Sequence, residues 1–275
     1  MRLGVTMFAT DLSMPVTELA RAVEERGLAS LYLPEHTHMP VSTAASPMES
    51  PLPEQYKRTL DPLVALAAAA AVTERITLGT GILLAAQRDP IVTAKAIATL
   101  DHLAPGRVAV GVGFGWNRAE VENHGVPYES RRAVVRRNVL AMKALWSQEV
   151  AAFDGFEPSW SWPKPSRMPP VYLGGAAGPK LFAHIAEYAD GWIPIGGRGV
   201  KAALPALRQA CGDRPVRVIP FGSRPTPEKL EYFASLGIDE VVANVPGGPV
   251  GTVLPALDEL AAIMAAYVRD HPAPR

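Results

Sequence analysis

The sequence predicts an α/β fold: a (β/α)8 TIM barrel built by residues 1–275 as one domain. Three observations carry this. Short, β-rich apolar runs alternate strictly with longer helical patterns, as parallel strands joined by crossover helices do. The alternation repeats eight times, the number that closes a barrel. No shift in composition divides the 275 residues, and α/β barrels of about 250 residues fold as one unit. A doubly wound open sheet is the competing topology.

The elements follow in order. Arg2–Met7 reads as the first strand. Pro15–Gly27 follows as a helix: Pro15 suits a first turn, Val16, Leu19, Ala20 and Val23 share a face, and Gly27 ends it. Ser30–Pro34 is the second strand. Asp61–Thr73 is the second helix, with Asp61 as N-cap and Pro62 at the first helical position; Asp89 and Pro90 open the third helix, Asp89–Leu103, in the same way. Between them lies the third strand, Ile76–Leu84. Arg107–Gly113 is the fourth strand, followed by a helical turn near Arg118–Asn123 and a long helix, Ser130–Trp146. Pro170–Gly174, Gly191–Ile195, Pro215–Phe221 and Glu240–Val245 are the fifth to eighth strands. Their helices are Pro179–Tyr188, Val200–Ala210, Thr226–Leu236 and Thr252–Val268.

Two connections are long. His36–Leu60 follows the second strand, on the face where barrels build active sites, and Met39, Met48 and Tyr56 give it an apolar lining. Ser147–Pro169 precedes the fifth strand and starts with a hairpin pattern around Asp154-Gly155.

Composition excludes several classes. Lys+Arg and Asp+Glu are both 27, so the net charge is zero, unlike the clustered positive excess of a nucleic-acid binder. Folding at this length buries about 70% of the chain's surface. The single cysteine, Cys211, rules out an internal disulfide framework and fits a cytoplasmic protein. No signal-peptide pattern and no run of about 18 uncharged apolar residues is evident, so no membrane association is expected.

Chemistry is expected just after the strands. The second strand ends in Pro34-Glu35-His36-Thr37-His38, a carboxylate beside an imidazole, which makes Glu35 and His36 candidates for acid/base work. A metal reading of His36, His38 and Glu35 lacks a further ligand cluster, and no metal is expected. The fourth strand ends in Gly113-Phe114-Gly115-Trp116-Asn117, where glycines let a flat cofactor or an anion come close to the backbone, or simply turn the chain. The G-x-G-x-x-G dinucleotide spacing is not completed there. The fifth strand runs into Gly174-Gly175-Ala176-Ala177-Gly178-Pro179-Lys180, a glycine-rich loop opening a helix, which suits a phosphate. Gly196, Gly197, Arg198, Gly199 and Lys201 repeat the theme after the sixth.

These segments together resemble the bacterial luciferase-like flavin/deazaflavin oxidoreductase family, and within it the small coenzyme F420-dependent branch. The resemblance is carried by LYLPEHTH at 31–38, LDPLVALAAAAAVTERITLGTGILL at 60–84, DPIVTAKAIATLDHLAPGRVAVGVGFGWNRAE at 89–120 and PPVYLGGAAGPKLFAHIAEYADGWIP at 169–194. It implies a TIM barrel with the cofactor ring at the C-terminal mouth, backed by a bulge in the third strand with a non-prolyl cis peptide at Gly81-Ile82. It places His36 beside the ring's reactive edge, supported by Glu35. Gly113, Phe114, Gly115, Trp116 and Asn117 would line the ring or its ribityl chain, and Gly174, Gly175 and Ala176, with Lys180 close by, would bind phosphate. Arg88, Arg118, Lys180, Arg198 and Lys201 become candidate partners for the anionic tail of F420. Related F420 dehydrogenases carry a carboxylate shortly after the fourth strand; here the first nearby one is Glu120. They also carry a Trp soon after the second-strand His, where this chain has Met39-Pro40, so their sugar-phosphate substrate is not carried over.

The resemblance thus implies an F420-dependent oxidoreductase that moves a hydride between the deazaflavin and a small organic substrate. The alternatives are an FMN-dependent monooxygenase and a non-catalytic flavin- or deazaflavin-binding protein. The family's dimerisation through the second and third helices, alanine-rich here at Ala65, Ala67–Ala71, Ala94, Ala96 and Ala98, implies a homodimer.

Overall fold

The computed structural model describes residues 1–43, 51–153 and 155–271. Met48 and Asp154 lie outside the described residues. Eight parallel strands form one sheet: β1 (Arg2–Thr6), β2 (Ser30–Leu33), β3 (Thr77–Leu84), β4 (Val108–Gly113), β7 (Val171–Gly174), β8 (Gly191–Ile193), β9 (Arg217–Val218) and β10 (Glu240–Asn244). The hairpin β5 (Ala151–Phe153) and β6 (Phe156–Ser159) stands apart as an antiparallel pair. The sheet runs β10-β1-β2-β3-β4-β7-β8-β9, and a parallel bridge between Phe221 and Val242 brings its two ends together. The topology is therefore a barrel and not an open sheet.

Helices α1 (Val16–Glu25), α2 (Pro62–Ala70), α3 (Pro90–Leu103), α5 (Arg131–Ser147), α6 (Pro179–Tyr188), α7 (Val200–Cys211), α8 (Pro227–Ser235) and α9 (Val250–Asp270) form the outer layer. The Asp-Pro starts work as expected. The Asp61 carboxylate accepts from Leu63 and Val64 N–H, and the Asp89 carboxylate accepts from Val92 N–H. A short helix, α4 (Arg118–Asn123), precedes α5.

Two strands are shorter than the sequence implies. The sixth expected strand stops at Ile193 and the seventh is only Arg217–Val218. The cause is proline: Pro194 and Pro220 have no N–H to give to a ladder, so only isolated bridges at Ile195, Phe221 and Val242 continue the pairing. α9 is longer than expected, and by length and composition it is apolar enough to cross a membrane. It is packed against α1 and α8, and its Asp258 accepts from Arg26 at 2.8 Å.

The core has two parts. Tyr32, Ala109, Tyr172, Ile193, Ile219, Phe221 and Val242 fill the barrel interior, with Ile82 packed on them. The larger part lies between sheet and helices. The Gly81-Ile82 peptide is cis, and the β3–β4 register shifts between Thr80 and Leu83. The strand-three bulge is thus where the resemblance implied it. It turns Ile82 across the strand ends.

The opposite end of the barrel is held by polar contacts. Ser30 Oγ donates to Glu240 at 2.6 Å, and Arg217 reaches Glu240, Asp239 and the Tyr172 hydroxyl. On the same side, Glu24 accepts from the backbone N–H groups of Glu74, Arg75 and Ile76, the Arg75 bond being 2.6 Å. Burial works to raise the Glu24 carboxyl, but these donors outweigh it and hold it below its ordinary value. Its stabilisation is therefore present above the unfolded pKa of about 4.3 and is lost as pH falls through the lower folded value. Glu24→Ala should cost about 1–3 kcal/mol at pH 7 and flatten the acid limb of the stability profile, read by denaturant titration between neutral and acid pH.

Candidate active site

Consecutive residues after β2 face opposite ways, because side chains alternate along extended chain. Glu35 turns toward the next strand. Its carboxylate accepts from Leu84 N–H at 2.6 Å and from Arg88 Nε at 2.6 Å, and Arg88 also reaches Asp61 at 2.5 Å. Burial pushes the Glu35 carboxyl up, against the pull of Arg88. The expected Glu35–His36 pair does not form, since both carboxylate oxygens are engaged elsewhere. Glu35 is a clamp that ties the end of β2 to the end of β3, to Arg88 and to the cap of α2.

His36 turns the other way. Its Nδ1 lies 2.9 and 3.1 Å from the two carboxylate oxygens of Glu120, and both side chains are buried. Glu120 sits in the first turn of α4, where Asn117 is the N-cap and accepts the Glu120 N–H at 3.3 Å. A carboxylate accepts, so Nδ1–H donates, and Nε2 has no hydrogen-bond partner among the described residues. The Asn117-x-x-Glu120 spacing marks a helix start in the sequence. The pairing across 84 residues does not show there, because only the barrel brings β2 beside α4.

The rest of the strand-two end docks on the same helix. Thr37 Oγ1 bridges His38 Nδ1 (3.0 Å) and His124 Nε2 (2.9 Å), and the Asn123 amide lies 3.0 Å from His38 Nε2. Among the described residues no group of three or more His, Cys, Asp or Glu could hold a metal ion.

The loop after β4 divides its roles. Trp116 meets the His36 ring edge to face, centroids 5.8 Å apart. Asn117 spends its amide on Thr43 Oγ1 (2.8 Å) and Met39 Sδ (3.0 Å), pinning the access loop. Phe114 is buried beneath Arg132, 4.2 Å from ring centroid to guanidinium, and beside His184. Gly115 takes a φ of 77° with Val121 close by, and its carbonyl accepts from Arg131 Nε. The loop therefore does not line the mouth as one surface: of its side chains, Trp116 is the one beside His36.

Gly113 and Gly174 have a packing role as well. A Cβ on Gly113 would lie 2.2 Å from Ile82 Cδ1, and one on Gly174 3.0 Å from it. They make room for the bulge residue. The loop Gly175-Ala176 is partly exposed, and Gly178 begins α6 without a side-chain cap. Lys180 lies in the first turn of α6, which has no acidic residue. A groove of about 800 Å³ between α6 and α7, lined by Ala183, Ala186, Ala203 and Ala206 among others, opens on the outer helical layer. It does not include His36.

Of the cations expected to meet an anionic tail, two are taken. Arg88 is held by Glu35 and Asp61, and Arg118 by Glu122 and Glu129. Lys180, Arg198 and Lys201, near the ends of β7 and β8, form no ion pair with a described residue.

Comparison with known proteins places this geometry. Residues 13–223 match the luciferase-like monooxygenase family. An uncharacterized protein of Mycobacterium tuberculosis is 43% identical over 282 residues, covering 98% of this chain and 100% of the relative. An F420-dependent glucose-6-phosphate dehydrogenase of Kineococcus radiotolerans is 32% identical over 206 residues, which is 70% of this chain and 57% of that protein. Among solved structures, a monooxygenase from Streptomyces bottropensis superposes with a TM-score of 0.78 and 18% identity over 97% of this chain and 99% of the other. An F420-dependent secondary alcohol dehydrogenase in complex with an F420-acetone adduct gives a TM-score of 0.76 at 18% identity, with the same coverage. These structures share the barrel fold.

The clamp generates a prediction. Glu35→Ala removes the buried partner of Arg88 and leaves Leu84 N–H without its acceptor, so it should cost about 3–5 kcal/mol in denaturant unfolding. Asp61→Ala, which removes an exposed cap and pair, should cost only about 1–2 kcal/mol. Equal costs would mean that Glu35 is not the anchor.

Proposed function

Since the chain belongs to the luciferase-like monooxygenase family, we propose that it is a coenzyme F420-dependent oxidoreductase that transfers a hydride between the deazaflavin and a small organic substrate. The observation that carries the reading is the buried His36–Glu120 pair at the end of β2, with Nε2 left for a substrate. Relatives that depend on F420 favour the deazaflavin over FMN.

The residues fit such a cofactor. Gly175 and Ala176 lead to the uncapped N-terminus of α6, whose free N–H groups and dipole suit a phosphate. Lys180, Arg198 and Lys201 would meet an anionic tail. Ile82 on its bulge would back the ring. The bound deazaflavin supplies the hydride acceptor or donor. His36 exchanges the accompanying proton at Nε2, as general base in oxidation and general acid in reduction. Glu120 holds the imidazole tautomer and orientation through Nδ1–H.

A homodimer through α2 and α3 belongs to the same proposal. Val64 is 73% and Val92 68% exposed on these helices, with Ile91 beside them. Apolar side chains this open on neighbouring helices are what a partner would cover. Light scattering should return about twice the chain mass of 29.4 kDa. Val64→Glu with Val92→Glu should halve it; a wild-type monomer would remove the dimer.

The function is tested by parallel fluorescence titrations of purified protein with F420 and with FMN. Saturable F420 binding at micromolar concentration, with FMN far weaker, is expected; the reverse would move the protein to flavin-dependent monooxygenation. His36→Ala should lower turnover by about 10²–10⁴-fold while keeping cofactor affinity. Loss of binding with turnover per bound cofactor intact would assign His36 to binding instead.

A further inference from the structure

We propose that Gln87, Arg132 and Tyr188 form a buried anion-binding site where α5 meets α6, taking a phosphate-type oxyanion. Four of the five buried polar side-chain atoms without a hydrogen-bond partner among the described residues belong to these three side chains. They are both amide atoms of Gln87, Nη1 of Arg132 and the Tyr188 hydroxyl. Gln87 is 8% and Tyr188 4% exposed. Phe114 brings the three together. The Arg132 guanidinium lies 4.2 Å over its ring, His184 stands 5.6 Å from the same ring, and Tyr188 stands 5.6 Å from His184. Gln87, in the turn after β3, stands beside the next residue: a Cβ on Gly115 would lie 3.6 Å from its Nε2. The three side chains come from the β3 end, α5 and α6, so only the folded barrel assembles them.

A buried donor or acceptor without a partner is costly and rare in native structures, so four in one corner mark a place for a polar occupant. Charge selects the occupant's sign. Arg132 has no carboxylate partner among the described residues. Glu187, next to Tyr188 on α6, is bonded through both oxygens to Arg136, and Glu129, before α5, is held by Arg118. Arg131 bonds only the carbonyls of Gly115 and Tyr128 and so adds positive charge. Burial, with Arg131 beside it, pulls the Arg132 guanidinium below its ordinary value. Burial pushes the Tyr188 phenol up, so it keeps its proton, and burial with Arg132 lowers His184, which is neutral at pH 7. The corner therefore offers one cation and neutral donors, the Gln87 amide and the Tyr188 hydroxyl. An oxyanion answers all of them with charge-assisted bonds, whereas a water would leave the charge unmatched. A phosphate that keeps one proton also donates to Gln87 Oε1.

This corner is separate from the positions given above to the cofactor. Those are the Gly175-Ala176 loop, Lys180, Arg198 and Lys201. His184 and Tyr188 lie on the flank of α6 that meets α5, while the groove of Ala183 and Ala186 lies on the flank that meets α7. Arg132 and His184 are half-buried, so an ion enters along the gap between α5 and α6 by rotation of the Arg132 head. The oxyanion is a free phosphate or the phosphate group of a larger ligand, the cofactor included. Nothing in this site depends on His36.

The test is a titration of the purified full chain with inorganic phosphate, read by isothermal calorimetry and by thermal unfolding, with sodium chloride at matched ionic strength as control. The wild-type protein should bind phosphate saturably and rise in Tm with it, and chloride should not reproduce the rise. Arg132→Gln should weaken phosphate binding by at least about 10-fold, and Arg132→Lys should keep part of the affinity. Lys180→Gln should leave it unchanged. In phosphate-free buffer Tyr188→Phe should unfold at the wild-type temperature or above, because its hydroxyl is unpaired; a lower temperature would mean that the hydroxyl is already satisfied, and overturns the proposal. So does a wild-type protein with no saturable phosphate binding, or binding that survives Arg132→Gln or is lost in Lys180→Gln. Repeating the titration with F420 present identifies the source: competition assigns the site to the cofactor's own phosphate, and undiminished phosphate binding assigns it to a separate oxyanion. A protein that does not bind F420 loses the function proposed above, and the phosphate titration still decides this site.

Discussion

The mouth of this barrel depends on how β2 ends, where two neighbouring side chains are drawn to opposite sides. Glu35 is held by Arg88 and the Leu84 N–H, and His36 by Glu120. A buried carboxylate without a hydrogen-bond donor would be too costly to keep, and so would a buried guanidinium without a carboxylate. Each pair therefore fixes the other's backbone. The clamp sets the height and direction of the strand end, and so decides where His36 Nε2 lies. The α2 cap joins the same network through Asp61, so an outer helix is registered against the strand ends by one arginine.

Packing imposes a second constraint from beneath. The bulge in β3 turns Ile82 across the barrel, and the space it fills exists because Gly113 and Gly174 have no Cβ. Gly81 has its own neighbours: a Cβ there would meet Phe221 at 2.6 Å. Interiors are close-packed, so a side chain at Gly113 or Gly174 would press on Ile82, and one at Gly81 on Phe221 and Tyr32. Gly113 and Gly174, which look in the sequence like openings for a ligand, also give room to an isoleucine.

Charge is distributed around the mouth in two sectors. Where β1, β2 and β4 end, arginines and lysines are matched to carboxylates and rings face His36. Near the ends of β7 and β8, Lys180, Arg198 and Lys201 have no carboxylate partner among the described residues and stand close to glycine-rich backbone and an uncapped helix. The Glu120 carboxylate is placed to orient the His36 imidazole between these two sectors.

Much of this was legible in the sequence, because it is local. The Asp-Pro helix starts, the eight strand-helix repeats and the hairpin pattern around Asp154-Gly155 rest on dihedral preferences, caps and periodicity that a short window contains, whereas the bulge at Gly81-Ile82 was implied only by the family resemblance. His36 was visible as a strand-end imidazole for the same reason. Its partner was not: the nearest carboxylate in the chain, Glu35, is turned away by strand alternation, and the one that bonds it, Glu120, lies 84 residues on. Nor did a window reveal that Asn117 would be spent on Thr43 and Met39, that Arg88 and Arg118 would be matched, or that Gly113 would be filled. Sequence by itself determined which elements form and which residue types stand at the strand ends. The tertiary structure alone decided who faces whom across the mouth, because closing the barrel sets distances between residues that chain spacing leaves free.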